Sequence, residues 1–202
     1  MRINHLVINF LLVCVVFCTA GIQVSAQSVI PIPLKVEQNE GVFRISETTK
    51  LYTNLKGEER ELLEDYLVML PRPFNVGMNG KEDMHENVII LQKVAVGRRS
   101  TLKHPESYSL KVTSHRILIQ ADTDAGRFYG LQTLMQLTES TIKDEWTVHA
   151  TYIEDTPRFD YRGFMMDVSR HFRSKEFVKK QIDMLARYKL NRLHLHLTDG
   201  AG

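Results

Sequence analysis

Cysteine is nearly absent from this chain, since only Cys14 and Cys18 occur among its 202 residues. Both lie in an apolar stretch that begins after Arg2 and ends in small residues at 24–26. A basic start, a short apolar core and a small-residue end are typical of a secretory signal peptide, so we predict one at 1–26. Its removal would leave no thiol in the mature chain, which excludes a disulfide framework and a cysteine metal site.

The chain also lacks an apolar run long enough to cross a membrane and a large excess of charge of either sign. Gly21 and Gln23 interrupt the amino-terminal apolar core, which falls short of the roughly 20 residues that cross a membrane. We therefore expect a secreted or periplasmic protein without a membrane span after cleavage. Of the 26 basic residues only Arg2 lies in the predicted signal, so 25 basic residues balance 24 acidic ones in the mature chain. This balance gives no electrostatic reason to expect nucleic acid as a partner.

The hydrophobic pattern divides the mature chain into two parts, with a boundary at Pro157. In the first part, residues 27–157, short alternating runs are mixed with two helical patterns. The predicted elements are hairpins over 34–45 and 108–120, helices over 58–70 and 124–138, and strands over 88–91 and 148–153. This mixture predicts an α+β domain in which helices cover one face of an antiparallel sheet.

The second part, residues 158–202, shows a strand–helix–strand pattern. An apolar run at 163–168 leads into Ser169-Arg170-His171, a helical repeat follows, and alternating leucines at 193–197 lead into Thr198-Asp199-Gly200. Such a βαβ unit predicts parallel neighbouring strands. Both polar clusters should then lie at the carboxyl ends of these strands, which is the edge where α/β folds build active sites.

Four segments of the chain resemble the family 20 glycoside hydrolases, the β-N-acetylhexosaminidases, and they occur in that family's order. They are AGRFYGLQTL at 125–134, DTPRF and YRG at 155–163, DVSRHF at 167–172, and KLN with HLHLTD at 189–199. The resemblance implies that residues 27–157 are the family's non-catalytic α+β domain. It also implies that residues 158–202 begin a (β/α)₈ TIM barrel, the catalytic domain.

The activity that the resemblance implies is the retaining hydrolysis of terminal β-linked N-acetylhexosamine, without a cofactor. The expected partners are glycans or glycoconjugates that end in this sugar. In this family the substrate's own 2-acetamido oxygen is the nucleophile, helped by an orienting Asp and an acid–base Glu. By the family's order this pair lies beyond residue 202. The adjacent acids Asp144-Glu145 and Glu154-Asp155 do not lie in a matching context.

Two functional positions follow from the resemblance. Arg170 matches the arginine that holds ring hydroxyls of the terminal sugar, a task that suits a planar guanidinium fork. Asp199 matches the aspartate that pairs with a later histidine and thereby tunes the catalytic Glu. Two further charged residues are expected to act structurally: Arg162 in an ion pair at the opposite end of the strand, and Asp167 as a buried partner of a nearby base.

Two other functions are open at this stage. His194 and His196 share one face of a strand and could hold a divalent metal together with Asp199, as in an amidohydrolase-type barrel. Alternatively, residues 27–157 could act as a stand-alone carbohydrate-binding accessory module. The aromatic residues Phe128, Tyr129 and Tyr188 are expected in the core.

Overall fold

The computed structural model describes residues 29–68, 86–94, 103–140 and 146–200. The predicted signal peptide and the Asp144-Glu145 pair lie outside these residues. The described elements are β1 (Lys35–Ile45), β2 (Lys50–Thr53), α1 (Glu58–Val68), β3 (Val88–Lys93), β4 (Tyr108–Val112), β5 (Arg116–Ala121), α2 (Asp124–Leu137), β6 (Glu139–Ser140), β7 (Trp146–Asp155), β8 (Gly163–Asp167), α3 (Lys175–Arg187) and β9 (Arg192–His196). Across the described ranges, every helix is too short or too polar to cross a membrane.

The first part of the chain forms one sheet with the strand order β1-β7-β4-β5-β3-β2, and β6 pairs with β7. The predicted antiparallel sheet is wrong in one respect, because β3 runs parallel to both β2 and β5. The parallel β2–β3 pair follows from α1, which connects the two strands as a crossover helix. The sheet is therefore mixed, with its antiparallel pairs at β1–β7, β7–β4 and β4–β5.

The predicted hairpin over 34–45 is also wrong, because this segment is a single strand, β1. Both of its halves pair with β7, and the register shifts between Gln38 and Val42 so that residues 39–41 lie opposite Ala150 alone. This irregularity is a β-bulge. Gly41 has a φ of 119°, which L side chains rarely adopt, so the glycine serves the bulge rather than a turn.

The core lies between this sheet and α2. Leu91, Leu110 and Ile119 from three neighbouring strands are fully buried, and Tyr129 and Leu134 of α2 pack in the same cluster. The predicted strand at 88–91, the second hairpin and the helix over 124–138 are confirmed. The helix predicted over 58–70 is confirmed as far as Val68. Of the aromatic residues expected in the core, Tyr129 is buried, whereas Phe128 and Tyr188 are partly buried.

The segment at 125–134, which resembles the family's helix motif, has a structural role. A Cβ atom at Gly126 would lie 2.4 Å from the Ser107 carbonyl oxygen, and one at Gly130 would lie 2.6 Å from Ile119 Cγ2. Both glycines therefore let α2 approach the sheet closely. Arg127 is buried between them and pairs with Asp124 of its own helix and Glu59 of α1.

The second part of the chain forms the predicted βαβ unit, which here means β8, α3 and β9. The two strands are parallel neighbours, with Gly163 opposite Arg192 and Asp167 opposite His196. Ser174 caps the start of α3, because its hydroxyl accepts the Phe177 N–H at 3.2 Å. Within the described part of the chain, every side chain of α3 is at least partly exposed.

Candidate functional site

A cluster of charged side chains lies where β8 and β9 end. Arg170 follows the last residue of β8 by three positions, and Asp199 follows the last residue of β9 by three. Because those last residues, Asp167 and His196, are paired in register, the two loops leave the sheet side by side. Arg170 Nε lies 3.0 Å from Asp199 Oδ2 and 3.0 Å from Asp167 Oδ2. The structure thus brings the two residues chosen from the sequence into direct contact.

Asp167 organises the loop that carries Arg170. Its Oδ1 accepts the backbone N–H groups of Ser169 at 3.0 Å and of Arg170 at 3.1 Å. The backbone hydrogen bond from Arg170 is the main cause that lowers the pKa of the Asp167 carboxyl, and the charges of Arg170 and His196 add to it. Asp167 was expected to be a buried partner of a base; it is the partner of Arg170, but it is half-buried, with 27% of its side chain exposed.

One edge of the Arg170 guanidinium remains open. Nε is engaged by the two carboxylates, while Nη1 and Nη2 make no hydrogen bond within the described ranges. The side chain is 65% exposed, so a ligand can reach it, and Nη1 and Nη2 are a planar pair of donors. Such a pair matches two adjacent oxygen atoms of a ligand in one plane.

Among the described residues, no third ligand joins the histidine pair of β9 to complete a metal site. His196 Nδ1 lies 3.4 Å from Asp167 Oδ1, while His194 is exposed. Nowhere in the described part of the chain do three or more His, Cys, Asp or Glu side chains lie close enough to hold a metal ion. The placement of these side chains therefore gives the metal hypothesis no support.

Two ion pairs lie at the opposite end of the βαβ unit, one that was predicted from the sequence and one that was not. Arg162 forms the expected ion pair, and its partner is Glu106. The missed residue is Lys189, which is 5% exposed and whose Nζ lies 2.8 Å from Asp155 Oδ2. Lys189 belongs to the KLN segment at 189–191, but a lysine between a helix and a strand gives no local indication of burial.

Comparison with known sequences assigns both parts of the chain. Residues 26–156 match the model described as glycosyl hydrolase family 20, domain 2, and residues 159–202 match the one for the catalytic domain of the same family. The chain belongs to glycosyl hydrolase family 20. Arg170, Asp167 and Asp199 all lie in the segment that matches the catalytic domain. That match favours a hydrolase over an accessory module built from residues 27–157 alone.

Individual members of family 20 agree with this assignment. A beta-hexosaminidase from Vibrio vulnificus is 35% identical over 183 residues, which are 90% of this chain and 20% of that protein. The solved β-N-acetylhexosaminidase from Bacteroides fragilis has a TM-score of 0.74 at 28% identity, over 87% of this chain and 34% of that one. The Vibrio harveyi exo-β-N-acetylglucosaminidase in complex with N-acetylglucosamine has a TM-score of 0.70 at 31% identity. This match covers 87% of this chain and 26% of that one. This family 20 chain therefore spans about a fifth to a third of the length of these relatives.

Proposed function

We propose that this chain is the amino-terminal part of a secreted β-N-acetylhexosaminidase. The enzyme removes a terminal β-linked N-acetylhexosamine from a glycan or glycoconjugate and retains the configuration at the anomeric carbon. The observation that carries the proposal is the Arg170 guanidinium, held by Asp167 and Asp199 in the segment that matches the catalytic domain. The relatives are named as hexosaminidases, which supports N-acetylhexosamine as the substrate class, and the structure of one relative contains bound N-acetylglucosamine.

In this proposal the βαβ unit opens a (β/α)₈ barrel whose other strands follow residue 202. The apolar surface of the unit supports it, because Phe164, Met165 and Leu197 are 42%, 57% and 66% exposed. Phe164 and Met165 are consecutive in β8 and point to opposite faces, so both faces of the strand carry an exposed apolar side chain. Parallel strands of α/β folds are covered on both faces, as they would be here by the rest of the barrel. The Asp that orients the acetamido group and the acid–base Glu come from those later strands.

Arg170 and Asp199 have different tasks in the proposed reaction. Arg170 donates from Nη1 and Nη2 to two adjacent ring hydroxyls of the terminal sugar, while Nε stays with the carboxylates. The acetamido oxygen bonds to the anomeric carbon as the glycosidic bond breaks and the Glu gives its proton to the leaving oxygen; water then opens the cyclic intermediate. Asp199 holds a later histidine that tunes this Glu, so it acts through a partner rather than on the sugar.

The test is an assay of the enzyme obtained when the reading frame is extended beyond Gly202. We expect it to hydrolyse a nitrophenyl β-N-acetylglucosaminide and to release the β-anomer first, as detected by NMR. The 202-residue chain alone should show no turnover, because it lacks the acid–base pair. No hydrolysis by the extended enzyme, or turnover that requires an added divalent metal, would contradict the proposal.

A further inference from the structure

A buried polar cluster lies where the α+β domain meets the βαβ unit, at the opposite end of β8 and β9 from Arg170. Lys189 Nζ donates to Asp155 Oδ2 at 2.8 Å and to the Tyr108 hydroxyl at 2.7 Å. The Tyr108 hydroxyl donates to Asp155 Oδ2 at 2.9 Å and lies 2.5 Å from Thr133 Oγ1. We call these four residues the junction cluster.

The four residues come from separate elements of the fold. Tyr108 begins β4 and Asp155 ends β7, and the two are paired in register, while Thr133 lies on α2. Lys189 is the only one that belongs to the βαβ unit. It follows α3 with a φ of 59°, and its N–H bonds to the Ala186 carbonyl at 3.0 Å, so the chain turns there from α3 towards β9.

A second group of contacts lies beside the junction cluster. Glu106 of the α+β domain accepts from Asn191 Nδ2 at 3.0 Å and pairs with Arg162. Arg162 and Asn191 also exchange bonds near the starts of β8 and β9: the Arg162 N–H donates to Asn191 Oδ1 at 3.0 Å, and the Asn191 N–H to the Arg162 carbonyl at 2.9 Å. Arg162 Nε donates to the Lys189 carbonyl at 2.8 Å. One carboxylate thus holds the starts of both strands.

The burial of Lys189 makes this contact selective. A charged ammonium is stable out of water only where counter-charges and hydrogen-bond acceptors meet it. Asp155 and Tyr108 supply them at one place on the α+β domain, and a displaced βαβ unit would leave both charges without their partners. Burial lowers the pKa of Lys189, whereas the Asp155 carboxylate opposes this shift.

We propose that Lys189 is the charged anchor that docks the βαβ unit on the α+β domain, and that this docking surface, with Glu106, fixes the start of β9. The α+β domain is then a positioning scaffold for the strand that leads to Asp199. This role concerns the two parts of the chain itself and holds whatever the full enzyme hydrolyses.

The test compares charge-removing variants of the 202-residue chain by hydrogen exchange. Lys189→Met keeps the side-chain length and removes the charge, and Lys180→Met makes the same change at an exposed position of α3. We expect Lys189→Met to speed exchange in α3 and β9 by about tenfold or more while β3 and β5 keep their rates, since docking and not the core is affected. Lys180→Met should leave the exchange rates of all four elements unchanged.

A second readout is the fluorescence of Trp146, the only tryptophan in the chain. It lines a groove with Met184 and Arg187 of α3, so undocking of the helix should shift its emission to the red. We expect this shift in Lys189→Met at lower urea than in Lys180→Met. Equal behaviour of the two variants, or faster exchange in β3 and β5 as much as in β9, would overturn the proposal.

Two further variants keep the test decisive. Adding Asp155→Asn to Lys189→Met should restore part of the lost protection, because the remaining buried carboxylate is removed; strictly additive losses would contradict the pairing. If Lys189→Met does not fold, Tyr108→Phe removes only the hydroxyl of the junction cluster. It should speed exchange in the same two elements by a smaller factor, and an unchanged β9 would count against the anchor.

Discussion

At the residue scale, Arg170 contacts Asp199, and the two tasks that we propose for these residues are therefore linked. Arg170 Nε and Asp199 Oδ2 are 3.0 Å apart, so each side chain restrains the other. Loss of either residue should therefore change both sugar binding and the setting of the acid–base Glu. The two substitutions cannot be treated as independent.

A double-mutant cycle in the extended enzyme tests this coupling. Arg170→Ala should raise KM strongly and also change the pH profile, whereas Asp199→Asn should lower kcat and also raise KM. Since contacting residues show coupling energies of about 0.5–3 kcal/mol, the double variant should lose less activity than the sum of the single losses. The measurement is kcat/KM of all four proteins, with Lys180→Ala as an exposed control. Losses that add would mean that the contact has no functional consequence.

Asp167 gives a prediction on the acid side. Its folded pKa lies below the usual value of 3.8, mainly because of the Arg170 backbone N–H. A depressed carboxyl pKa contributes stability above the unfolded pKa, and this contribution is lost as the pH falls through the folded pKa. Asp167→Asn should therefore lower the urea midpoint at pH 7, and the difference from the parent chain should shrink below about pH 4. A difference that is the same at pH 7 and pH 3 would show that charge is not the cause.

Part of the site was predictable from sequence because it follows from local patterns. The βαβ pattern placed Arg170 and Asp199 at one sheet edge, and the structure has them there. The junction cluster was not predictable in the same way. Lys189 is buried only because Tyr108, 81 residues away, and Asp155, 34 residues away, converge on it, and no local pattern around a lysine indicates such partners.

At the element scale, the two wrong predictions, the hairpin over 34–45 and the fully antiparallel sheet, have one physical cause. The alternation of apolar and polar residues identifies a strand, but it does not show which other strands pair with it. The run at 34–45 alternates equally well as a hairpin or as a bulged strand, and its pairing with β7 more than a hundred residues later decides between them. The parallel β2–β3 pair had a local indication, because a helix connects the two strands. Length and period identified β3, β4, β5, β7 and the elements of the βαβ unit correctly, as well as α1 and α2, whereas the short strands β2 and β6 were not predicted.

The two glycines of α2 give a prediction on packing. A methyl group at Gly130 meets Ile119 Cγ2 at 2.6 Å, which a side chain can partly relieve, whereas at Gly126 it meets the Ser107 carbonyl oxygen at 2.4 Å, which is backbone. Gly126→Ala should therefore destabilise the chain more than Gly130→Ala, with overpacking costs of about 1–3 kcal/mol that exceed the gain in helix propensity.

Urea unfolding of both variants measures this order. Ala125→Gly, at an exposed position of the same helix, isolates the propensity effect and should cost about 1 kcal/mol. If either alanine variant were more stable than the parent chain, the close approach of α2 to the sheet would not limit these positions.

At the scale of the whole molecule, the α+β domain and the βαβ unit differ in how much of their apolar surface is buried. The α+β domain has a continuous buried core, whereas in the βαβ unit Met166 is the buried apolar residue among those described. Without a disulfide in its predicted mature form, the chain depends on such burial for stability. The βαβ unit should therefore be the less stable part, held mainly by β8–β9 pairing, α2–α3 contacts and the junction.

Limited proteolysis and truncation test this difference. Trypsin should cut the 202-residue chain at Arg173, in the exposed segment before α3, or at Lys175, the first residue of that helix, before it cuts the core strands. A chain of residues 27–157 should fold alone but unfold at lower urea than 27–202, because Asp155 and Glu106 lose Lys189 and Arg162. The loss should stay below the roughly 3–5 kcal/mol of a buried unpaired charge, since truncation also lets water reach Asp155.

Asp155→Asn should increase the stability of the truncated chain and reduce that of the longer one. Cleavage of the core strands before the segment at 173–175 would show that the βαβ unit is not the less stable part. The same sign of the Asp155→Asn effect in both chains would show that the two parts do not stabilise each other through this contact.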